Sequence, residues 1–76
     1  MTIYFSYVAI LQDGQHIRGE GHAESFDKAN AMLHASVKKW LHRQRLSYLH
    51  RFFYMLGQDE CQEFTAEEVK VVFFGE

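Results

Sequence analysis

The sequence predicts one α+β domain over residues 1–76, made of a β-hairpin, a long helical segment and a third strand. An aromatic and β-branched run that ends at Asp13-Gly14 predicts the hairpin. An apolar stripe at spacings of three and four predicts the helix, and a β-branched run before Gly75 predicts the last strand. A chain of 76 residues supports only one hydrophobic core.

The hairpin is the strongest local signal. Residues 3–11, IYFSYVAIL, combine aromatic and β-branched types in a run too short for a convincing helix. Asp13-Gly14 tolerates the two positive φ angles of a type I′ turn, and residues 15–24 then alternate in polarity. These residues predict two antiparallel strands joined by a two-residue loop.

That loop also predicts which residues share a face of the hairpin. It pairs Val8 with Gly19, so the even-numbered residues of the first strand face the helix. A glycine at that position leaves room for a helix backbone to approach. Phe5 and Tyr7 are then expected on the opposite face, across from charged residues of the second strand.

The helical segment begins after Ser25, a suitable N-cap. Its apolar stripe consists of Phe26, Ala29, Leu33, Val37, Trp40 and Leu41. Residues 42–45 are polar, and the apolar pattern resumes from Leu46 to Leu56 before Gly57. Thirty helical residues would extend about 45 Å, whereas a nine-residue strand extends about 30 Å. Either the segment bends near residues 42–46, or its second half projects towards another molecule.

The last apolar run predicts the third strand. Residues 58–68 are polar and acidic and are expected to form a loop, with a short turn of helix at Thr65 as the alternative there. Residues 69–74, VKVVFF, are typical of a strand. A strand connected through a helix is expected beside the first strand. The prediction is therefore ββαβ, or ββααβ with a divided helix, and a three-stranded antiparallel or mixed sheet in the order 2-1-3, packed on the helix.

Composition and charge restrict the expected class of protein. Cys61 is the only cysteine, so no disulfide forms within the chain. No signal-peptide pattern or membrane-length apolar run occurs, and we therefore expect a cytoplasmic protein without membrane partners. Residues 25–56 contain six Lys and Arg against one acid, whereas residues 57–76 contain one Lys against six acids. The acidic tail is thus the nearest partner for the basic segment.

The chain offers no recognisable catalytic or metal-binding motif. His34, His42 and His50 are eight residues apart, which is not the i, i+4 spacing of a helical zinc site. Cys61 lies in an acidic stretch, which disfavours the thiolate that a nucleophile needs. We therefore expect a protein that is not an enzyme and that carries no metal or cofactor.

Apolar surface in excess of what one helix covers predicts an interaction module. The first strand is apolar on both faces, and contiguous exposed apolar patches mark interaction sites. We expect a homodimer, or binding to another protein, and an accessory, regulatory or inhibitor role. Hairpin-helix-strand plans occur in such proteins of phages and plasmids, although fold alone does not imply function. The candidate interface residues are Phe5, Tyr7, Tyr48, Leu49, Phe52, Phe53 and Leu56.

Two other interpretations remain open. Residues 46–56 could fold back over the bare sheet face and complete the core of their own chain. Alternatively, the basic helix could bind nucleic acid through phosphate contacts. The candidate contacts are Lys38, Lys39, His42, Arg43 and Arg45. A sequence pI of about 6.2 argues against nucleic acid, because dedicated binders are usually basic.

Overall fold

A computed structural model describes all residues, 1–76, as a four-stranded antiparallel sheet with two α-helices. In chain order the elements are β1 (Ile3–Leu11), β2 (His16–Ala23), α1 (Phe26–Leu41), a 3₁₀ helix (Arg43–Tyr48), β3 (Leu49–Leu56), β4 (Gln62–Phe64) and α2 (Ala66–Phe74). The α+β class is confirmed. Neither α-helix combines the length and the apolarity needed to cross a bilayer.

The sheet has the order β2-β1-β3-β4, and every pair of neighbours is antiparallel. The predicted order 2-1-3 therefore holds for the first three strands, and β4 is an additional strand. The third strand is residues 49–56, however, and not residues 69–74 as predicted. It lies antiparallel to β1, because the crossover through α1 and the 3₁₀ helix makes β3 run in the same direction as β2.

The β1–β2 loop has three residues, and the predicted type I′ turn is wrong. Gly14 N–H donates to the Leu11 carbonyl at 3.0 Å, and Leu11 N–H donates to the Gln15 carbonyl at 2.9 Å. Gly14 has a φ of 88°, whereas Asp13 does not have a positive φ and instead accepts a hydrogen bond from Gln15 N–H. A type I turn followed by a glycine in a left-handed bulge accounts for this pattern.

The extra loop residue shifts the hairpin by one position and exchanges the faces of β1. Gly19 now pairs with Tyr7 and Gly21 with Phe5. The odd-numbered residues of β1 consequently face the helices and are buried. The prediction that Phe5 and Tyr7 lie on the face away from the helix is therefore wrong. The two glycines accommodate these aromatic rings, and not a helix backbone as predicted.

Helix α1 begins as predicted, because the Ser25 hydroxyl accepts a hydrogen bond from Lys28 N–H at 3.2 Å. Its buried stripe is narrower than expected and consists of Ala29, Leu33, Val37 and Leu41. Trp40 is 54% exposed. The helix ends at Leu41 and is followed by His42, whose φ of 53° is rare for a residue other than glycine. The helix therefore ends at the start of the segment where a bend was predicted.

The predicted helix at residues 46–56 is wrong, because this segment contributes only the end of the 3₁₀ helix and then β3. Leu49, Phe52 and Leu56 are buried, at spacings that fit a helix as well as an irregular strand. The pairing with β1 shifts by one residue between Ile10 and Leu11, which allows both Leu49 and Phe52 to face the core. The segment thus completes the core of its own chain.

The predicted strand at residues 69–74 is also wrong, because this run belongs to α2. Thr65 and Glu68 form a capping box, in which each side chain accepts a hydrogen bond from the other residue's backbone N–H. Gly75, in the left-handed conformation, ends the helix. Val69 and Phe73, four residues apart, form the buried face. Two caps and one apolar stripe outweigh the β-propensity of the valines.

The core lies between the sheet and the two helices. Phe73 of α2 packs against the rings of Phe52 and Tyr54, with centroid distances of 5.3 and 5.9 Å. From the α1 side, the Ser36 hydroxyl lies 2.9 Å from the Tyr7 hydroxyl, so this buried phenol has a hydrogen-bond partner. Both helices therefore cover the same face of the sheet.

Candidate protein-interaction surface

We use "outer face" for the surface of the sheet that neither helix covers. Along each strand the side chains alternate, so one set lines the core and the other set lines this face. The outer-face residues are Tyr4, Ser6, Val8 and Ile10 of β1, His16, Arg18, Glu20 and His22 of β2, Arg51, Phe53 and Met55 of β3, and Glu63 of β4. All are exposed or half-buried.

The centre of the outer face is apolar. Val8 pairs with Phe53, and Ser6 pairs with Met55 across the two central strands. Val8 and Phe53 are half-buried, and Met55 is 42% exposed. Together with Ser6 and Cys61, these side chains line a shallow depression. Apolar side chains on the two central strands therefore remain accessible to a partner.

One border of this centre is a fixed ion pair. Nε and Nη2 of Arg51 donate to the two carboxylate oxygens of Glu63 at 2.9 and 3.2 Å. The hydrogen bond from Arg51 lowers the pKa of the Glu63 carboxyl, and the same bond raises the pKa of Arg51. The guanidinium also lies 5.0 Å from the centre of the Phe53 ring, in a cation–π arrangement. This pair limits access to one side of Phe53.

The other border carries charges that are not paired within the chain. Arg18 and Glu20 lie two residues apart on the outer face of β2, and both are exposed. The ion pairs of the structure involve Arg43 with Glu76, Arg51 with Glu63 and Lys70 with Glu67. Arg18 and Glu20 are therefore free to interact with a partner.

A groove lies at one end of the outer face. Its volume is about 660 Å³, and it is lined by residues that include Tyr4, Glu20, His22, Met55 and Gly57. Tyr4 and His22 contact each other at a ring-centroid distance of 5.7 Å. The groove is open and continuous with the apolar centre through Met55, so it extends the same surface.

Most of the interface residues predicted from the sequence lie elsewhere. Phe5, Tyr7, Leu49, Phe52 and Leu56 are buried in the core. Their burial removes them from the surface that a partner can contact in the folded chain. Of the remaining two, Tyr48 is 63% exposed at the end of the 3₁₀ helix, and Phe53 is on the outer face. The structure therefore brings only Phe53 to the outer face.

The predicted nucleic-acid contacts are all exposed, and they lie together at the C-terminal end of α1 and in the 3₁₀ helix. They are Lys38, Lys39, His42, Arg43 and Arg45. Arg43 forms an ion pair with Glu76, which reduces the positive potential of the cluster. Lys39 lies 5.2 Å from the centre of the exposed Trp40 ring. We use "basic end" for this part of the molecule.

The opposite end of the molecule is acidic. Phe26, the first residue of α1, lines one depression together with Asp59 and Glu60. Asp27 follows Phe26 in the chain, and Glu24 lies two residues before it. We use "acidic end" for this part. α1 begins near the end of the sheet where β2 finishes and leads to the opposite end, where β3 begins. The acidic end and the basic end therefore lie at the two ends of the strands.

Sequence reasoning missed the apolar centre because of the hairpin register. With Gly14 in a bulge, Val8 faces away from the helices, whereas a two-residue loop directs it inward. Met55 was missed because its segment was predicted to be helical. The signal that could have identified β3 was the aromatic run Phe52-Phe53-Tyr54, which is typical of strands.

The structure brings no three His, Cys, Asp or Glu side chains together in a group that could hold a metal ion. Cys61 is exposed. Comparisons of the chain with protein-family models, with curated proteins and with solved structures find no significant match.

Proposed function

We propose that this protein is a small, non-enzymatic, cytoplasmic interaction module that binds another protein chain on its outer face. In this role it acts as an accessory, regulatory or inhibitor protein. The observation that carries the proposal is the apolar centre of the outer face, which contains Val8, Phe53 and Met55 and which neither helix covers.

The arrangement of the outer face supports a protein partner. Interfaces between proteins combine an apolar centre with a polar border. Here the border consists of Arg18 and Glu20 on β2 and the ion pair between Arg51 and Glu63. Fully burying an exposed Met or Phe side chain contributes about 1.5–3 kcal/mol, and the central residues, which are already partly buried, gain a part of that amount when a partner covers them.

The test is affinity purification from the native host, followed by mass spectrometry, with two matched variants. Met55→Glu places a charge on the outer face, and Val72→Glu places the same charge on α2; both residues are 42% exposed. We expect the wild type and Val72→Glu to retain the same protein partner and Met55→Glu to lose it. Equal retention by all three chains would contradict the proposal.

Nucleic-acid binding is the second candidate function, because five exposed basic residues cluster at the basic end. Fluorescence anisotropy with single-stranded and double-stranded oligonucleotides tests it directly. Phosphate contacts predict an affinity that decreases steeply with salt and that is lost in the double variant Lys38→Glu/Lys39→Glu. Lys28→Glu, on the same helix but near the acidic end, is the matched control. Absence of binding at low salt would exclude this candidate.

A further inference from the structure

We infer that the chain bound on the outer face is a second copy of this protein. The two copies are related by a two-fold axis that lies between the two facing sheets and is perpendicular to their strands. This inference rests on the proposed use of the outer face. It adds the identity of the partner, the direction of the axis and the residues that meet across it.

The argument begins with the rows of side chains across the sheet. In one row, Arg18, Val8 and Phe53 are neighbours on β2, β1 and β3. In the next row, Glu20, Ser6 and Met55 are neighbours on the same three strands. Each row therefore has a charged residue at the β2 edge, and the two charges are opposite.

A two-fold axis perpendicular to the strands exchanges these two rows when it passes between them. Arg18 of each copy then faces Glu20 of the other copy, which forms two symmetric ion pairs. Phe53 of each copy faces Met55 of the other, so the apolar centres cover each other. Neither Arg18 nor Glu20 has an ion-pair partner within its own chain, so the dimer pairs both charges.

Other two-fold arrangements leave the charges less well paired. An axis that passes along a row places Arg18 of one copy opposite Arg18 of the other, and the two like charges repel each other. An axis parallel to the strands places Arg18 against Glu63, a carboxylate that Arg51 already holds in a forked pair, and leaves Glu20 without a basic partner. The pattern of charges therefore favours the perpendicular axis.

The two ends of the molecule favour the same axis. A rotation about a line perpendicular to the strands reverses the strand direction, so the basic end of one copy lies beside the acidic end of the other. An axis parallel to the strands would place basic beside basic and acidic beside acidic. The basic end lies on α1 and the 3₁₀ helix, away from the outer face, so the end charges of the two copies are farther apart than Arg18 and Glu20 and salt screens their attraction more strongly.

The dimensions of the outer face set the expected affinity. Four strands spaced by about 4.8 Å and a length of about 20 Å from His16 to His22 make a small contact. Interfaces of this size belong to weak, reversible associations. We therefore expect a dissociation constant on the order of micromolar, and a concentration series must extend well above that value.

The test uses purified protein and analytical ultracentrifugation of four chains. The wild type should show a concentration-dependent dimer. Arg18→Glu alone and Glu20→Arg alone should each weaken dimerisation at least tenfold. Each variant converts both symmetric ion pairs into pairs of like charges. The double variant Arg18→Glu/Glu20→Arg should dimerise again, because both ion pairs are restored with their signs reversed.

A mixing experiment tests whether the charges at positions 18 and 20 meet across the interface. When Arg18→Glu and Glu20→Arg chains are combined, every facing pair becomes opposite in charge, so the mixture should form a heterodimer although each variant alone is monomeric. Melting curves by circular dichroism verify that each variant is folded. Monomeric wild type at all concentrations, or a mixture of folded variants that stays monomeric, would overturn the inference.

The failure of this inference can be distinguished from the failure of the proposed function. If the wild type is monomeric but a host protein is lost specifically by Met55→Glu, the inference of a second copy is wrong and the proposed function remains. If the wild type dimerises and Met55→Glu dimerises equally well, the outer face is not the dimer interface and the inference is wrong. The proposed function is then wrong as well only if Met55→Glu also retains the host protein partner.

Discussion

Gly21 lies directly beneath the ring of Phe5, so that a Cβ added to this glycine would lie 2.7 Å from Cε2 and Cζ of the ring. The same relationship joins Gly19 to the Tyr7 ring, where the added Cβ would lie 2.6 Å from Cζ. Real Cβ atoms do not approach other carbons so closely. The two glycines therefore allow two buried aromatic rings of β1 to lie across β2.

The first prediction concerns this contact. Gly21→Ala should destabilise the domain by about 1–3 kcal/mol, because the Phe5 ring must move within a packed core. Glu24→Ala, at an exposed position directly after β2, is the control and should change stability by less than about 0.5 kcal/mol. Urea denaturation measures both. Equal midpoints for the two variants would show that the hairpin register described above is wrong.

A second prediction concerns the cap of α2. Thr65→Ala removes the hydroxyl that accepts from Glu68 N–H, and it should destabilise the domain by about 1 kcal/mol. Thr65→Ser preserves the acceptor and should retain most of the stability. Thermal melts compare the two variants. If Thr65→Ala and Thr65→Ser have the same melting temperature, this cap does not stabilise the helix of residues 66–74.

The third prediction concerns the backbone at His42. A φ of 53° is unfavourable for a residue with a Cβ, and glycine adopts it readily. We expect His42→Gly to stabilise the domain by about 1 kcal/mol. His42→Ala, which keeps the Cβ, should give no such gain. A loss of stability in His42→Gly, measured by chemical denaturation, would contradict a positive φ at this position.

The fourth prediction concerns pH. Burial of His34 against Phe73, and secondarily the charge of Lys38, lowers the pKa of this imidazole below 6.5. The unfolded chain therefore binds the proton more readily than the folded chain. Stability should be fully present above pH 6.5 and should decrease as the pH falls through 6.5 towards the folded pKa.

Thermal melts of the wild type and of His34→Leu between pH 7.5 and pH 5 measure this effect. Leucine keeps an apolar contact with Phe73 and cannot titrate, so the variant should lose less stability on acidification than the wild type. Parallel pH profiles for the two chains would show that His34 is not responsible for the dependence.

The first third of the fold could be predicted because its signals are local. Ser25 caps α1 as expected, and the hairpin forms on both sides of Asp13-Gly14. The loop length was harder to predict, because Asp-Gly fits both a two-residue turn and a three-residue turn with a bulge. One residue decided the register, and the register decided which side of β1 is the outer face.

The second half of the fold could not be predicted from periodicity alone. Leu49, Phe52 and Leu56 have spacings that suit a helix, and only pairing with β1 makes this segment a strand. Residues 69–74 suit a strand, but the capping box at Thr65 and the contact of Phe73 with the aromatic core make them a helix. Pairing with β1 therefore outweighed helical periodicity in the first segment, and the caps and core contact outweighed β-propensity in the second.

The candidate site depended on these two segments, and the sequence therefore identified little of it. Phe53 was predicted as an interface residue, and Met55 was not. The unpaired charges of Arg18 and Glu20 become informative only when the outer face is known. In contrast, the cluster from Lys38 to Arg45 is visible in the sequence, because it lies within one continuous stretch of chain.

The most direct test of the central claim is a concentration series of backbone amide NMR spectra of the purified protein. If the outer face is where a second copy binds, the amide signals of Ser6, Val8 and Met55 should move with concentration, and the signal of Val72 on α2 should remain fixed. Movement confined to the helices, or no movement at the outer face at any concentration, would contradict it.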